Sequence, residues 1–206
     1  TARTPRGVVA TTAVEIRAGE VTTLALAAAG TRLLTGRAIA FETGAPVVGV
    51  TCAAASAVGD VRPAPSSSAR GAASTDARGA FRLDAPVGPA MVVCRGGSGW
   101  STGATVVDAN RDAVVTLVRK PNRAPGALGC WFDPERSSAV VSLLVDGAAP
   151  PGLAIGDRVV AVDGADVTHL YVDAIYWLIA GRPDGPVSIT IERAGVRRDI
   201  TIDVAR

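Results

Sequence analysis

The side chains able to do chemistry are few and far apart. His169 is the only histidine, and it stands just before a helical segment, where it is a tempting general base. A base of that kind works on a partnered Ser or Cys and is itself oriented by an acid. The one G-x-S-x-G run, Gly99-Trp100-Ser101-Thr102-Gly103, leads into a strand-like run and not into the helix of a nucleophile elbow, so His169 is expected to cap an element or sit on the surface. Asp157 and Asp163 resemble a catalytic carboxylate pair only by number, because Gly156-Asp157 and Asp163-Gly164 both read as turns. A zinc site needs closely spaced ligand pairs, which Cys52, Cys94, Cys130 and a single histidine do not provide. The expectation is no catalytic residue, no metal, no cofactor and no enzymatic activity.

The cysteines point to structure instead. Cys52 and Cys94 both fall in strand-like runs. A bond between them would close a loop of about forty residues, worth about 3–4 kcal/mol in the chain-entropy description, and would fit an extracytoplasmic compartment. The alternative is two small buried hydrophobes in a reduced protein; the disulfide is the favoured reading. Cys130 is left over and expected to be buried.

Composition removes several function classes. The chain has 206 residues, 48% of them hydrophobic, a formal net charge of +2 and three cysteines. Lys120 is the only lysine and the other basic residues are arginines. Together with abundant Ala, Val and Gly, this reads as the codon bias of a GC-rich bacterium. Scattered arginines at near-zero net charge do not make a nucleic-acid-binding face. No apolar run approaches the roughly 18 residues of a membrane span, so no membrane insertion is expected in this chain. It begins without Met and reads as a piece of a longer protein.

The elements that must position these residues are short. Twenty-three glycines and thirteen prolines break the chain into β-rich runs. Strands are predicted at Ala13–Ile16, Val21–Leu26, Leu33–Phe41, Val47–Ala53, Ala80–Leu83, Ala90–Cys94, Ala104–Val107 and Ala113–Val118, a spacing that suits an antiparallel sandwich. Two hairpins echo each other, one over Thr12–Leu26 and one over Ala104–Val118. The preferred division is therefore residues 1–29 as closing strands of a preceding Ig-like repeat, a sandwich over 30–120, and a separate unit over 121–206. The alternative is one sandwich over 1–120. Ala54–Thr75 reads as a long exposed loop, with Ser66 to Ser68 as solvated serines. Lys120–Gly126, with two prolines, reads as an extended linker.

Two motifs in the sandwich carry a resemblance. The first is Leu34-Thr-Gly36 leading through Gly44-Ala-Pro46 to Gly49-Val-Thr; the second is Thr75-Asp76-Ala-Arg-Gly79-Ala-Phe81-Arg-Leu83, followed by Ala85-Pro-Val-Gly88. Residues 33–119 are similar to the carboxypeptidase regulatory-like domains, a transthyretin-like or Ig-like β-sandwich. Gly44 and Pro46 would make the first turn; Asp76 and Gly79 would make a second that aims Phe81 and Leu83 inward. The resemblance implies a spacer. With Lys120 in the linker, no Lys–Asn isopeptide crosslink is expected. Phe41 and Phe81 face the core, so only Trp100 could serve a sugar platform, and sugar binding is not expected.

The C-terminal segment carries a second resemblance. Gly126-Ala-Leu128-Gly129-Cys130-Trp-Phe132, the strand Ala139–Val145, and the run Pro150-Pro-Gly152-Leu153-Ala-Ile-Gly156-Asp157 through Val162-Asp163-Gly164 precede a helix over Tyr171–Ala180 and strands at Val187–Arg193 and Arg197–Val204. The helix shows an apolar face of Ala174, Ile175, Leu178 and Ile179, then Gly181 and Pro183 as stop signals. Residues 126–204 resemble a bacterial-type PDZ domain, a small β-barrel or sandwich with one main helix. The resemblance implies β-augmentation. A peptide would add along Cys130–Phe132, and the N–H groups of Leu128, Gly129 and Cys130 would cap its carboxylate. Pockets would form from Leu128, Cys130 and Phe132 facing Tyr171, Ile175 and Leu178, or these side chains would fill the core. Trp131 belongs to the same strand, and with Tyr176 and Trp177 could pack outward at a protein interface. Cys130 departs from the usual apolar residue, and the loop lacks a strongly basic anchor.

The expected function is a non-enzymatic protein- or peptide-binding module of a bacterial envelope or secreted protein. The alternatives are accessory domains of an envelope protease whose catalytic domain lies elsewhere, or an assembly subunit that binds no peptide.

Overall fold

A computed structural model describes residues 2–3, 9–10, 30–57, 71–97, 99–108, 111–122, 124–133, 138–183 and 185–204. The strands expected at 13–16 and 21–26, and Ser66 to Ser68, lie outside the described residues. The elements run β1 (Ala2–Arg3), β2 (Val9–Ala10), β3 (Thr31–Ala40), β4 (Thr51–Ser56), β5 (Ala73–Ser74), β6 (Ala80–Pro86), β7 (Ala90–Arg95), β8 (Thr102–Val107), β9 (Ala113–Leu117), β10 (Cys130–Phe132), β11 (Val141–Leu144), β12 (Arg158–Val162), β13 (Ala165–Asp166), α1 (Val172–Ala180), β14 (Gly185–Arg193) and β15 (Val196–Val204). The protein is mainly β.

Strands β3 to β9 form two sheets, ordered β6-β3-β9 and β5-β4-β7-β8. β3 pairs antiparallel with β6 and parallel with β9. Leu34, Ala38, Phe81, Leu83, Val115 and Leu117 from one sheet meet Cys52, Val92 and Cys94 from the other in one buried cluster. Phe81 and Leu83 reach it because Asp76 shapes the turn before β6. Its carboxylate accepts the N–H groups of Arg78 (2.8 Å) and Ala80 (2.9 Å), and Gly79 takes φ +70°. Cys52 and Cys94 are directly opposed on β4 and β7, and their sulfurs are bonded.

Several strand boundaries differ from the sequence-based expectation, and the loop expected over Ala54–Thr75 is shorter, because β4 runs on to Ser56, β5 takes Ala73–Ser74 and Thr75 is buried. Val47 and Val50 are buried, yet β4 begins only at Thr51. Gly49 at φ +74° leaves the extended region and breaks the ladder. Thr75 holds the resulting loop: its hydroxyl donates to Val47 O (2.7 Å) and accepts from Val50 N–H (3.1 Å). Burial without strand geometry is what an apolar count cannot distinguish.

The C-terminal strands form a sheet ordered β13-β12-β14-β15 and a separate β10-β11 pair. The two are joined where Val141 N–H donates to Asp157 O (2.9 Å) and Gly156 N–H to Val141 O (2.8 Å). Asp163-Gly164 and Ala194-Gly195 make the two-residue hairpin turns, all four with positive φ, the handedness that matches strand twist. α1 packs Ala174, Ile175, Leu178 and Ile179 into the core. Gly181 ends the helix at φ −77°, so its glycine serves space instead of a left-handed cap. A Cβ there would stand 2.4 Å from Trp177 O and 3.1 Å from Pro121 Cδ.

The sandwich and the C-terminal unit share a core. In β7, Ala90, Val92 and Cys94 face the sandwich interior, whereas Met91 and Val93 join the cluster of α1 and the C-terminal strands. A strand buried on both faces reads as a continuous apolar run, as Ala90-Met-Val-Val-Cys94 does. Along the helix axis the contacts fall every four residues. The His169 ring lies 6.1 Å from Phe41. The Asp173 carboxylate accepts Thr102 N–H at 2.5 Å, the Lys120 ammonium sits 5.2 Å over Trp177, and Gly181 meets Pro121. The segment expected as an extended linker thus starts by packing on the helix end.

Candidate functional site

The site is built from β10, the turn before it and α1. β10 has one partner among the described residues, β11, in the register Cys130↔Leu144 and Trp131↔Leu143. Val145 N–H donates to Gly129 O (2.9 Å) and Asp133 N–H to Val140 O (2.8 Å). Antiparallel ladders alternate, so Trp131 bonds toward β11 while the N–H and C=O of Cys130 and Phe132 point to the other edge. That edge carries no described strand.

The preceding turn is forced by backbone proximity. Gly129 has φ +64°, and a Cβ there would stand 1.8 Å from Ala148 O, so no other residue fits. Neither Leu128 N–H nor Gly129 N–H has a hydrogen-bond partner among the described residues. Adjacent free amides of this kind suit an anion.

The side chains expected to line the groove divide by face. Leu128, Cys130, Phe132, Tyr171, Ile175 and Leu178 are all buried in one cluster. These side chains are part of the protein's own core. Ile175 is fully buried and belongs to the core. Trp131 lies on the opposite face, 65% exposed, beside its cross-strand partner Leu143 at 53%. Of the other two aromatics, Tyr176 and Trp177 are half-buried, packed edge to face at 5.7 Å.

Electrostatics leave this region without a reactive group. Burial pushes the Cys130 thiol up to about 11, so it is neutral near pH 7. The Asp157 side chain is fully buried, gripped by Arg193 through Nε (2.6 Å) and a terminal nitrogen (2.7 Å), and accepts Ala154 N–H at 2.8 Å. Arg193 above all holds its carboxyl below the usual range. Asp163 pairs with Arg182 and accepts Ser188 N–H at 3.0 Å. Both aspartates therefore fix turns. Among the described residues no group of three or more His, Cys, Asp or Glu is placed to hold a metal ion.

Sequence reasoning missed a second concavity. A cleft of about 730 Å³ opens between the end of the sandwich and the C-terminal end of α1. Arg119 and Lys120 line it from one side, Trp177, Leu178 and Arg182 from the other, with Glu42 on the wall. These residues are scattered in sequence, and only the docking of the two units brings them together. No protein-family model matches the sequence, and no curated protein matches it.

Proposed function

We propose that this chain is a non-enzymatic protein-binding module of a bacterial cell-envelope or secreted protein. In it a PDZ-like C-terminal unit takes an extended or C-terminal peptide by β-augmentation, and a carboxypeptidase regulatory-like, Ig-like sandwich supports that unit. The observation that carries this reading is the edge of β10 that pairs with no other strand among the described residues, with the Cys130 and Phe132 backbone groups directed outward and the Leu128 and Gly129 amides without a described partner at its start. An added strand would satisfy the edge groups, and a terminal carboxylate would accept the two amides. Because the facing side chains are already buried, the main chain supplies most of the contact, and short apolar side chains suit the ligand best. The buried Cys52–Cys94 bond fits an oxidising, extracytoplasmic compartment.

A display screen of random peptides with free C-termini against the whole chain tests the reading. The expected result is an enriched motif that is lost in Leu178→Arg, with folding of the variant checked by thermal melting. The absence of any enriched motif would remove it. One observation favours the assembly-subunit reading instead. Trp131 and Leu143 form an exposed apolar pair on the outer face, and Trp131→Ser would weaken self-association or partner capture without touching peptide selection.

A further inference from the structure

We infer that the cleft between the sandwich and the C-terminal end of α1 is a second binding site, for a monocarboxylate carried on an apolar body. The inference is independent of peptide binding at β10. The volume of about 730 Å³ falls in the range of small-ligand sites. Val118, Pro121, Leu178 and Pro183 give it apolar walls, and Trp177 adds an aromatic one. Two of these are prolines, so part of the wall is preset and costs little ordering on binding.

The charges on the cleft select the ligand's sign. Arg119 is exposed and has no ion-pair partner among the described residues. The Lys120 ammonium has three donors. It rests over Trp177 at 5.2 Å and makes one long bond, 3.5 Å, to Gly97 O. Arg182 is partly engaged, pairing with Asp163 and donating from Nε to Leu178 O at 3.1 Å. An anion placed here would meet Arg119 and Lys120 with donors to spare. Glu42 on the wall limits how much negative charge is tolerated, which favours one carboxylate over a polyphosphate or a nucleic acid. The apolar walls demand that the carboxylate carry an apolar group, which acetate lacks. Such a carboxylate exists on free organic acids and on a protein chain end with an apolar last residue.

Lys120 is the only lysine, so acylation of its ε-amine in the whole chain reads this cleft alone, with the N-terminal amine as internal control. The probes are 3-phenylpropionate, its neutral amide, acetate, and an N-acetylated hexapeptide ending in leucine with a free carboxylate. We expect 3-phenylpropionate to slow Lys120 acylation fivefold or more while leaving the N-terminal amine unaffected. The amide and acetate should give no protection, and Arg119→Glu should abolish the effect. Arg119→Gln should weaken it, which separates lost charge from a disturbed fold. Stronger protection by the hexapeptide would support the site and identify a chain end as the source; stronger protection by phenylpropionate would support it and identify a free acid. Equal protection by acid and amide, equal protection by acetate, unchanged protection in both variants, or none at all would each overturn the inference.

Discussion

Cys130 and Asp157 show how single residues are set by their surroundings. With its pKa pushed up to about 11 by burial, Cys130 carries about two orders of magnitude less thiolate than a free cysteine at neutral pH. Iodoacetamide labelling of the native chain should be correspondingly slow and should reach the normal rate only in denaturant. Labelling at the free rate would mean that the wall between β10 and α1 opens readily. Asp157 makes a different prediction. Its folded pKa is lowered, chiefly by Arg193, so its stabilisation is complete above the unfolded value of about 4 and is lost as pH falls below that through the folded value. Asp157→Asn should cost about 1–3 kcal/mol at neutral pH, leaving Arg193 uncompensated. The gap in melting temperature between variant and wild type should then close in acid. Asp157 was legible in sequence as a turn residue. Its buried pairing was not, because Arg193 lies far along the chain and reaches it only through the sheet.

At the scale of elements, the turns were the most legible feature. Asp76-to-Gly79, Asp163-Gly164 and Ala194-Gly195 fold as their residue types require, since positive φ selects glycine and tolerates Asp. Ala194 is the exception, an alanine at φ +48°. Ala194→Asn or Ala194→Gly should stabilise the β14–β15 hairpin by about 0.5–1 kcal/mol, measured by chemical denaturation. No gain would indicate that the turn relaxes out of the left-handed region. The apolar face of α1 was legible from its period, but its second face was not. His169, Asp173, Trp177 and Gly181 fall on one stripe, yet they share no property. Each contacts the sandwich or the segment that leaves it for a different reason: a ring contact, a hydrogen bond, a cation–π contact and close packing.

For the whole molecule, the sandwich and the C-terminal unit are packed together. Met91, Val93 and Val118 belong to the same core as the C-terminal helix and strands, so the two units should unfold together. Calorimetry should give one transition, and Cys52→Ala/Cys94→Ala should lower the whole of it, by about 4 kcal/mol for a loop closed by residues 42 apart. Two transitions, with only one shifted, would mean independent beads on a linker. Here the sequence was least informative. The apolar run of β7 reads only as one strand of the sandwich, its burial on both faces appears only in the fold, and the two prolines of segment 120–126 suggest separation.

The central claim is that the open edge of β10 receives an extended peptide. Hydrogen exchange of the intact chain, with and without a peptide taken from the display screen, tests it at the atoms involved. Binding there should slow exchange at the amides of Leu128, Gly129, Cys130 and Phe132, and leave Trp131, already paired with β11, nearly unchanged. A bound peptide that leaves these amides exchanging at their free rate, or that protects another sheet edge, would contradict the account.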